Sequence, residues 1–227
     1  MNRTKPLFTS WITLLLIGWL VLPAAQAQEN TPPFWDEIQA FKQQDSRQMP
    51  PKNAVLFVGS SSLRMWKDMQ EMLPGYTVIN RGFGGSNLLD LNRYLPDIVY
   101  PYQPKQIVIY SGENDIASDT VQAPEVLARF KDVFQRIRQE MPGVPVVFIS
   151  IKPSPSRWHY KPIIVEANQQ IRKYLKSQPK TQYVDVYRPM LNAGKRPKPE
   201  IFIQDSLHMN NKGYEIWAKT LTPYLLK

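Results

Sequence analysis

The sequence predicts an α/β fold, a three-layer αβα sandwich with helices on both faces of a parallel sheet. Two observations predict it. Short apolar runs rich in β-branched residues alternate with longer stretches whose apolar residues recur at helical spacing, the pattern of parallel crossover units. The length, 227 residues at 43% hydrophobic content, suits one sizeable core and is too short for two.

The candidate strands are residues 55–58, 77–80, 106–111, 144–150 and 181–184, each short and enriched in Val, Ile, Thr, Tyr or Phe. Between them, residues 63–72, 88–99, 123–140 and 163–177 read as helices; Val126, Phe130, Val133 and Ile137 form one apolar stripe. Two helices flank this core. Pro32-Pro33-Phe34 starts one that runs to about Gln44, and residues 211–226 close the chain by burying Ile216, Leu221 and Leu225. The 21 prolines cluster at segment boundaries, as in Pro153-Ser154-Pro155 and Pro197-Lys198-Pro199, which are read as loops.

The first segment is set aside from the fold. Arg3 and Lys5 precede an apolar stretch that Pro23 ends, and Ala25-Gln26-Ala27 follows, the order of a secretory signal peptide cleaved after Ala27. An uncleaved anchor is the competing reading; Thr9, Ser10 and Thr13 weaken it. The expected organisation is a signal peptide over 1–27, an N-terminal helical extension over 28–50 and one α/β domain over 51–227. The expected location is the periplasm or the medium.

Several function classes recede on composition. There is no cysteine, hence no thiol nucleophile, thiolate metal site or disulfide. The net charge of +9, about +7 without Arg3 and Lys5, is scattered, and export argues against a nucleic-acid partner. Only His159 and His208 are present, which argues against catalytic zinc. Glu113 and Asp115 lie at a strand end without further acidic residues around them, so no metal or other cofactor is expected.

Four stretches carry chemical potential, three of them at strand ends and one just before the closing helix. Phe57-Val58-Gly59-Ser60-Ser61-Ser62 ends the first strand in a glycine and three hydroxyls, which suits either a turn or a nucleophile at the sheet's carboxyl edge. Asn80-Arg81-Gly82-Phe83-Gly84-Gly85 and Gly112-Glu113-Asn114-Asp115 follow the second and third strands, offering a backbone N–H and a carboxamide, the parts of an oxyanion hole. In Asp205-Ser206-Leu207-His208 a carboxylate and an imidazole three residues apart can meet within one turn. Spacing alone leaves a surface loop with a helix-capping histidine equally open. His159, in a Pro-flanked loop without a neighbouring acid, reads as an exposed or stacked ring.

Taken in this order, the four stretches resemble the blocks of the SGNH hydrolases, the GDSL esterases and lipases, and the second is similar to the run in the catalytic subunits of platelet-activating-factor acetylhydrolase. The resemblance implies a flavodoxin-like sandwich with a five-stranded parallel sheet. It implies Ser61 as nucleophile, Asp205 and His208 as its partners, and Ser61, Gly85 and Asn114 as oxyanion donors. One departure stands out: Ser60 occupies the place of the family's usual Asp.

The activity implied is hydrolysis of carboxylic esters through an acyl-enzyme. The lack of a long apolar lid insertion favours a short acyl group, such as acetyl on a carbohydrate or envelope glycan. Phe83, Trp158 and Tyr160 could stack on a sugar, and Arg81 and Arg157 could bind an acidic substrate group. Lysophospholipid or thioester hydrolysis and a non-catalytic envelope module are the alternatives. Stable membrane insertion after signal cleavage is not expected, and the oligomeric state is left open.

Overall fold

The computed structural model describes Met1 and residues 31–227; the signal-peptide reading lies outside these residues. Five parallel strands, β1 (Val55–Gly59), β2 (Val78–Gly82), β3 (Gln106–Tyr110), β4 (Val146–Ile149) and β5 (Thr181–Val184), form one sheet in the order β2-β1-β3-β4-β5. That is the flavodoxin-like doubly wound order, in which loops at the strands' carboxyl ends face a common crevice. Every register is parallel; Gly59 pairs with Gly82 on one side and Tyr110 on the other. The first two strand-end motifs are therefore neighbours.

The central strands are buried on both faces, and the two-residue period of a strand divides them between two cores. Leu56, Val58, Ile107, Ile109 and Phe148 pack under α1 (Trp35–Arg47), α4 (Leu88–Ile98), α6 (Ala123–Glu140) and α7 (Lys161–Lys176). Val55, Phe57, Val108, Tyr110 and Val147 face α2 (Ser61–Arg64), α3 (Met69–Met72) and α8 (Asn211–Leu221). The predicted stripe on α6, Val126, Phe130, Val133 and Ile137, is wholly buried. A short helix missing from the sequence reading, α5 (Glu113–Ile116), starts at Gly112.

Two expected elements change. The helix expected over residues 63–72 is broken into α2 and α3. Leu63, Trp66 and Met69 are buried with helical spacing, but Trp66 stacks on Tyr214 at 5.2 Å and meets Phe57 and Trp217 edge-on. Burying a ring of that size is worth about 2–3 kcal/mol, more than helix continuity across a four-residue turn. The closing helix stops at Leu221 and continues as a 3₁₀ turn, Thr222–Tyr224, because Pro223 lacks the N–H an α-helix needs.

Candidate active site

Gly59 sets the geometry at the end of β1. Its φ of +141° is open to glycine alone, and a Cβ there would lie 1.8 Å from the Tyr110 carbonyl oxygen. The glycine thus lets β1 approach β3 closely while the chain turns into α2, with the Ser60 N–H donating to that same carbonyl. Ser61 becomes the first residue of α2, 8% exposed, and the Tyr214 hydroxyl anchors this turn by donating to the Ser62 carbonyl.

The loop before α8 supplies the acid and the imidazole. The Leu207 and His208 N–H groups donate to Asp205 Oδ1 at 2.9 Å each, a side-chain turn that Ser206 completes at φ +56°. This leaves Asp205 Oδ2 2.6 Å from His208 Nδ1, while His208 Nε2 lies 2.9 Å from Ser61 Oγ. Burial pushes the Asp205 carboxyl up, but the His208 ring and the two backbone N–H groups outweigh it and hold the acid below its ordinary range. The carboxylate so kept would orient the ring with its proton on Nδ1 and leave Nε2 to accept from the hydroxyl.

The second and third motifs meet across the sheet's edge. A Cβ on Gly85 would lie 4.0 Å from Asn114 Nδ2, and that amide donates to the Ser86 carbonyl at 2.9 Å. Among the described residues, neither the Ser61 nor the Gly85 backbone N–H is taken by a protein acceptor. Asp115 ties the third motif to the start of α4 by accepting from the Leu88 N–H, and to α6 by accepting from Arg129.

Part of the site escaped the sequence reading. Arg157 Nη1 donates to Asn114 Oδ1 at 2.8 Å, and Ser156 donates to the Ser206 carbonyl through both its N–H and its hydroxyl. The loop after β4 therefore bridges the Asn114 and Asp205 motifs. Beneath it Glu113 accepts from Lys152 Nζ at 2.8 Å, Ser154 Oγ at 3.0 Å and Tyr110 Oη at 2.7 Å, all buried. Burial pushes the Glu113 carboxyl up, yet the cations of Lys152 and Arg157 prevail and hold it below its ordinary range. The sequence signal was available: Lys152 lies three residues past the apolar end of β4, next to Ile151, where a buried cation needs a partner.

Two other expectations, those for Arg81 and Phe83, are corrected. Arg81 is buried against Asp45 and Tyr102, far from serving a substrate, because Asp45 on α1 neutralises it inside the fold. Phe83 is fully buried between Phe34 and Tyr94 and so is a core residue, not part of a rim. Trp158 is half-buried with Lys161 and Arg196 over its ring, and Tyr160 hydrogen-bonds Asp119. His159 is exposed, as its sequence context suggested, with its ring tilted 46° against that of Tyr160.

The sequence profile of the GDSL-like Lipase/Acylhydrolase family matches residues 56–216, from within β1 into α8. The chain belongs to this family. As a GDSL-family acylhydrolase it is a hydrolase of carboxylic esters. Solved structures share the fold at low identity. A Streptococcus pneumonia protein assigned as a platelet activating factor superposes with a TM-score of 0.73 at 23% identity, over 84% of this chain and 92% of that one. A GDSL-like lipase from Bacteroides thetaiotaomicron gives 0.70 at 20% identity, over 82% and 96%. An acetyl-xylooligosaccharide esterase from Geobacillus gives 0.63 at 15% identity, over 78% and 96%. No curated protein matches this GDSL-family chain in sequence.

Proposed function

We propose that the protein is a serine esterase that removes short acyl groups, acetyl foremost, from a carbohydrate or envelope glycan outside the cytoplasm. The observation that carries the mechanism is the continuous hydrogen-bonded path from Ser61 Oγ through His208 to Asp205, 2.9 and 2.6 Å in its two links. His208 Nε2 takes the hydroxyl proton as Ser61 Oγ attacks the ester carbonyl, and Asp205 stabilises the imidazolium that forms. The oxyanion is received by the N–H groups of Ser61 and Gly85 and the carboxamide of Asn114. Collapse breaks the C–O bond, His208 gives its proton to the departing alcohol, and water attacks the acyl-Ser61 by the same route to release the acid.

The short acyl group is supported by the segments between the four motifs, which carry no long apolar insertion of the kind that would form a lid over a long acyl chain. A glycan alcohol is in keeping with the sugar-ester activity of the Geobacillus relative. Export rests on the basic start, apolar middle and Ala25-Gln26-Ala27 end of the first 27 residues.

The deciding experiment is a panel of p-nitrophenyl esters graded from acetyl to palmitoyl, with acetylated xylan and acetylated peptidoglycan beside it, together with fluorophosphonate labelling. Turnover falling with acyl length and acetate release from a glycan are expected, with the label on Ser61. A maximum at long chains would move the assignment to a lysophospholipase or thioesterase. An unlabelled folded protein would leave a binding module.

A further inference from the structure

The family match begins at residue 56, so α1 (Trp35–Arg47) lies outside it, yet α1 reaches the second motif at both of its ends. At its C-terminal end Asp45 pairs with Arg81, the residue before Gly82, and accepts from Tyr102. At its N-terminal end Glu37 Oε2 accepts from the Gly84 N–H at 3.0 Å. Beside it, the Phe34 ring stands 5.5 Å from Phe83, edge-on, and fills the space a Cβ on Gly84 would need, 2.3 Å from the ring's nearest carbon. Phe34 holds this place with its own backbone at φ +66°, costly for an aromatic residue, and Tyr94 pins the preceding turn by donating to the Pro33 carbonyl.

Consecutive glycines would ordinarily leave the peptide between Gly84 and Gly85 free to rotate. The Gly84 N–H is fixed by Glu37 and its Cα by Phe34, so the remaining torsions of Gly84 set where the Gly85 N–H points. We infer that Glu37 and Phe34 are positioning residues for the oxyanion hole: α1 clamps Gly84 so that the Gly85 N–H faces the substrate carbonyl before substrate arrives. The inference rests on the esterase reading for its catalytic consequence, and on geometry alone for the clamp. Preorganised donors stabilise an oxyanion because no reorientation is needed at the moment charge develops. Arg64 Nε stands 3.8 Å from Glu37 Oε2, and the Glu37 side chain is 35% exposed, so loss of the acceptor is expected to loosen the loop without unfolding the chain.

The test uses the full mature chain and two independent readouts. By amide exchange in ¹⁵N NMR, the Gly84 N–H should lose protection in Glu37→Ala and keep it in Glu37→Gln, whose amide oxygen still accepts. In kinetics, Glu37→Ala should lower kcat/KM on p-nitrophenyl acetate about tenfold, the scale of one lost charge-assisted hydrogen bond. The inhibition constant of a trifluoromethyl ketone, which forms an oxyanion on the serine, should rise by the same factor. Glu37→Gln should stay within about threefold of wild type, and the exposed neighbour Asp36→Ala should match it.

Unchanged Gly84 exchange in Glu37→Ala overturns the clamp. Altered exchange with unchanged kinetics overturns its catalytic role, as does Glu37→Gln falling as far as Glu37→Ala. Phe34→Leu, which keeps the acceptor and removes the ring face, should shift the same two readouts in the same direction if Glu37→Ala does not fold; wild-type values there overturn the proposal. A wild-type chain without turnover on any ester defeats the esterase reading, while the exchange measurement still decides the clamp.

Discussion

Arg157 holds Asn114: its Nη1 donates to Asn114 Oδ1 at 2.8 Å, so the carboxamide is turned with Nδ2 toward Gly85 and the Ser86 carbonyl. An arginine expected at a substrate rim thus acts on the predicted oxyanion donor. Asn114→Ala should lower kcat about a hundredfold or more, the usual effect of deleting one such donor. Arg157→Ala should cost about tenfold through a loosened amide, and nothing further in the Asn114→Ala background. A double-mutant cycle on kcat/KM checks this; additive losses would mean that Arg157 touches substrate directly.

Ser61 and Ser60 are adjacent, and only Ser61 Oγ meets His208. Ser61→Ala should abolish turnover and fluorophosphonate labelling, while Ser60→Ala should retain both. Asp205→Asn should lower kcat by about 10³ to 10⁴ because an amide no longer enforces the Nδ1–H tautomer. Loss of labelling in Ser60→Ala with retention in Ser61→Ala would shift the nucleophile by one residue.

The Lys152–Glu113 pair beneath the site should show in the acid stability of the fold. Glu113 has a folded-state pKa below its ordinary value of 4.5, so its contribution is fully present above that value and is lost as pH falls through the lower one. Urea midpoints measured from pH 7 down to 3 should therefore drop steeply below about pH 4.5 in wild type and less steeply in Glu113→Gln. Lys152→Met, which strands the carboxylate, should cost about 3–5 kcal/mol at pH 7, and the double variant should recover part of it.

Gly59→Ala should fail at the sheet itself. Its Cβ would meet the Tyr110 carbonyl at 1.8 Å in a backbone conformation closed to alanine. Strain and displaced strand pairing together should cost about 3 kcal/mol or more, read as a lowered Tm or as loss of soluble protein. Gly75→Ala, also at positive φ but with open space around it, should cost only the strain of its backbone.

Much of the fold was legible because burial on both faces writes a strand as a continuous apolar run. β1 and β3, buried at every residue, lie within one residue of the bounds the sequence suggested, and the less buried edge strand β5 and the amphipathic helix α6 have the suggested bounds. β4 begins only at Val146, after Pro145, which has no N–H to pair with a neighbouring strand. The break between α2 and α3 was not legible, because Trp66 has helical spacing and only the aromatic nest of Phe57, Tyr214 and Trp217 draws it out of register. In the candidate site the spacing of Asp205 and His208 allowed their contact without deciding it against a surface loop; the structure brings them to 2.6 Å. The partners of Arg157, Lys152 and Glu37 could not be anticipated, since each lies 39 residues or more away along the chain.

By itself the sequence determined the crossover architecture, the family and the four loop motifs, because strand period, apolar runs and the chemistry of small loops are local properties. Only the tertiary structure decided what those motifs rest on. It turned Arg81 into a buried anchor for α1, Arg157 into the hold on Asn114, Phe83 into core and α1 into the support of Gly84. The physical reason is that a long polar side chain takes whichever partner the fold brings within about 3 Å, and burial makes leaving it unpaired too costly.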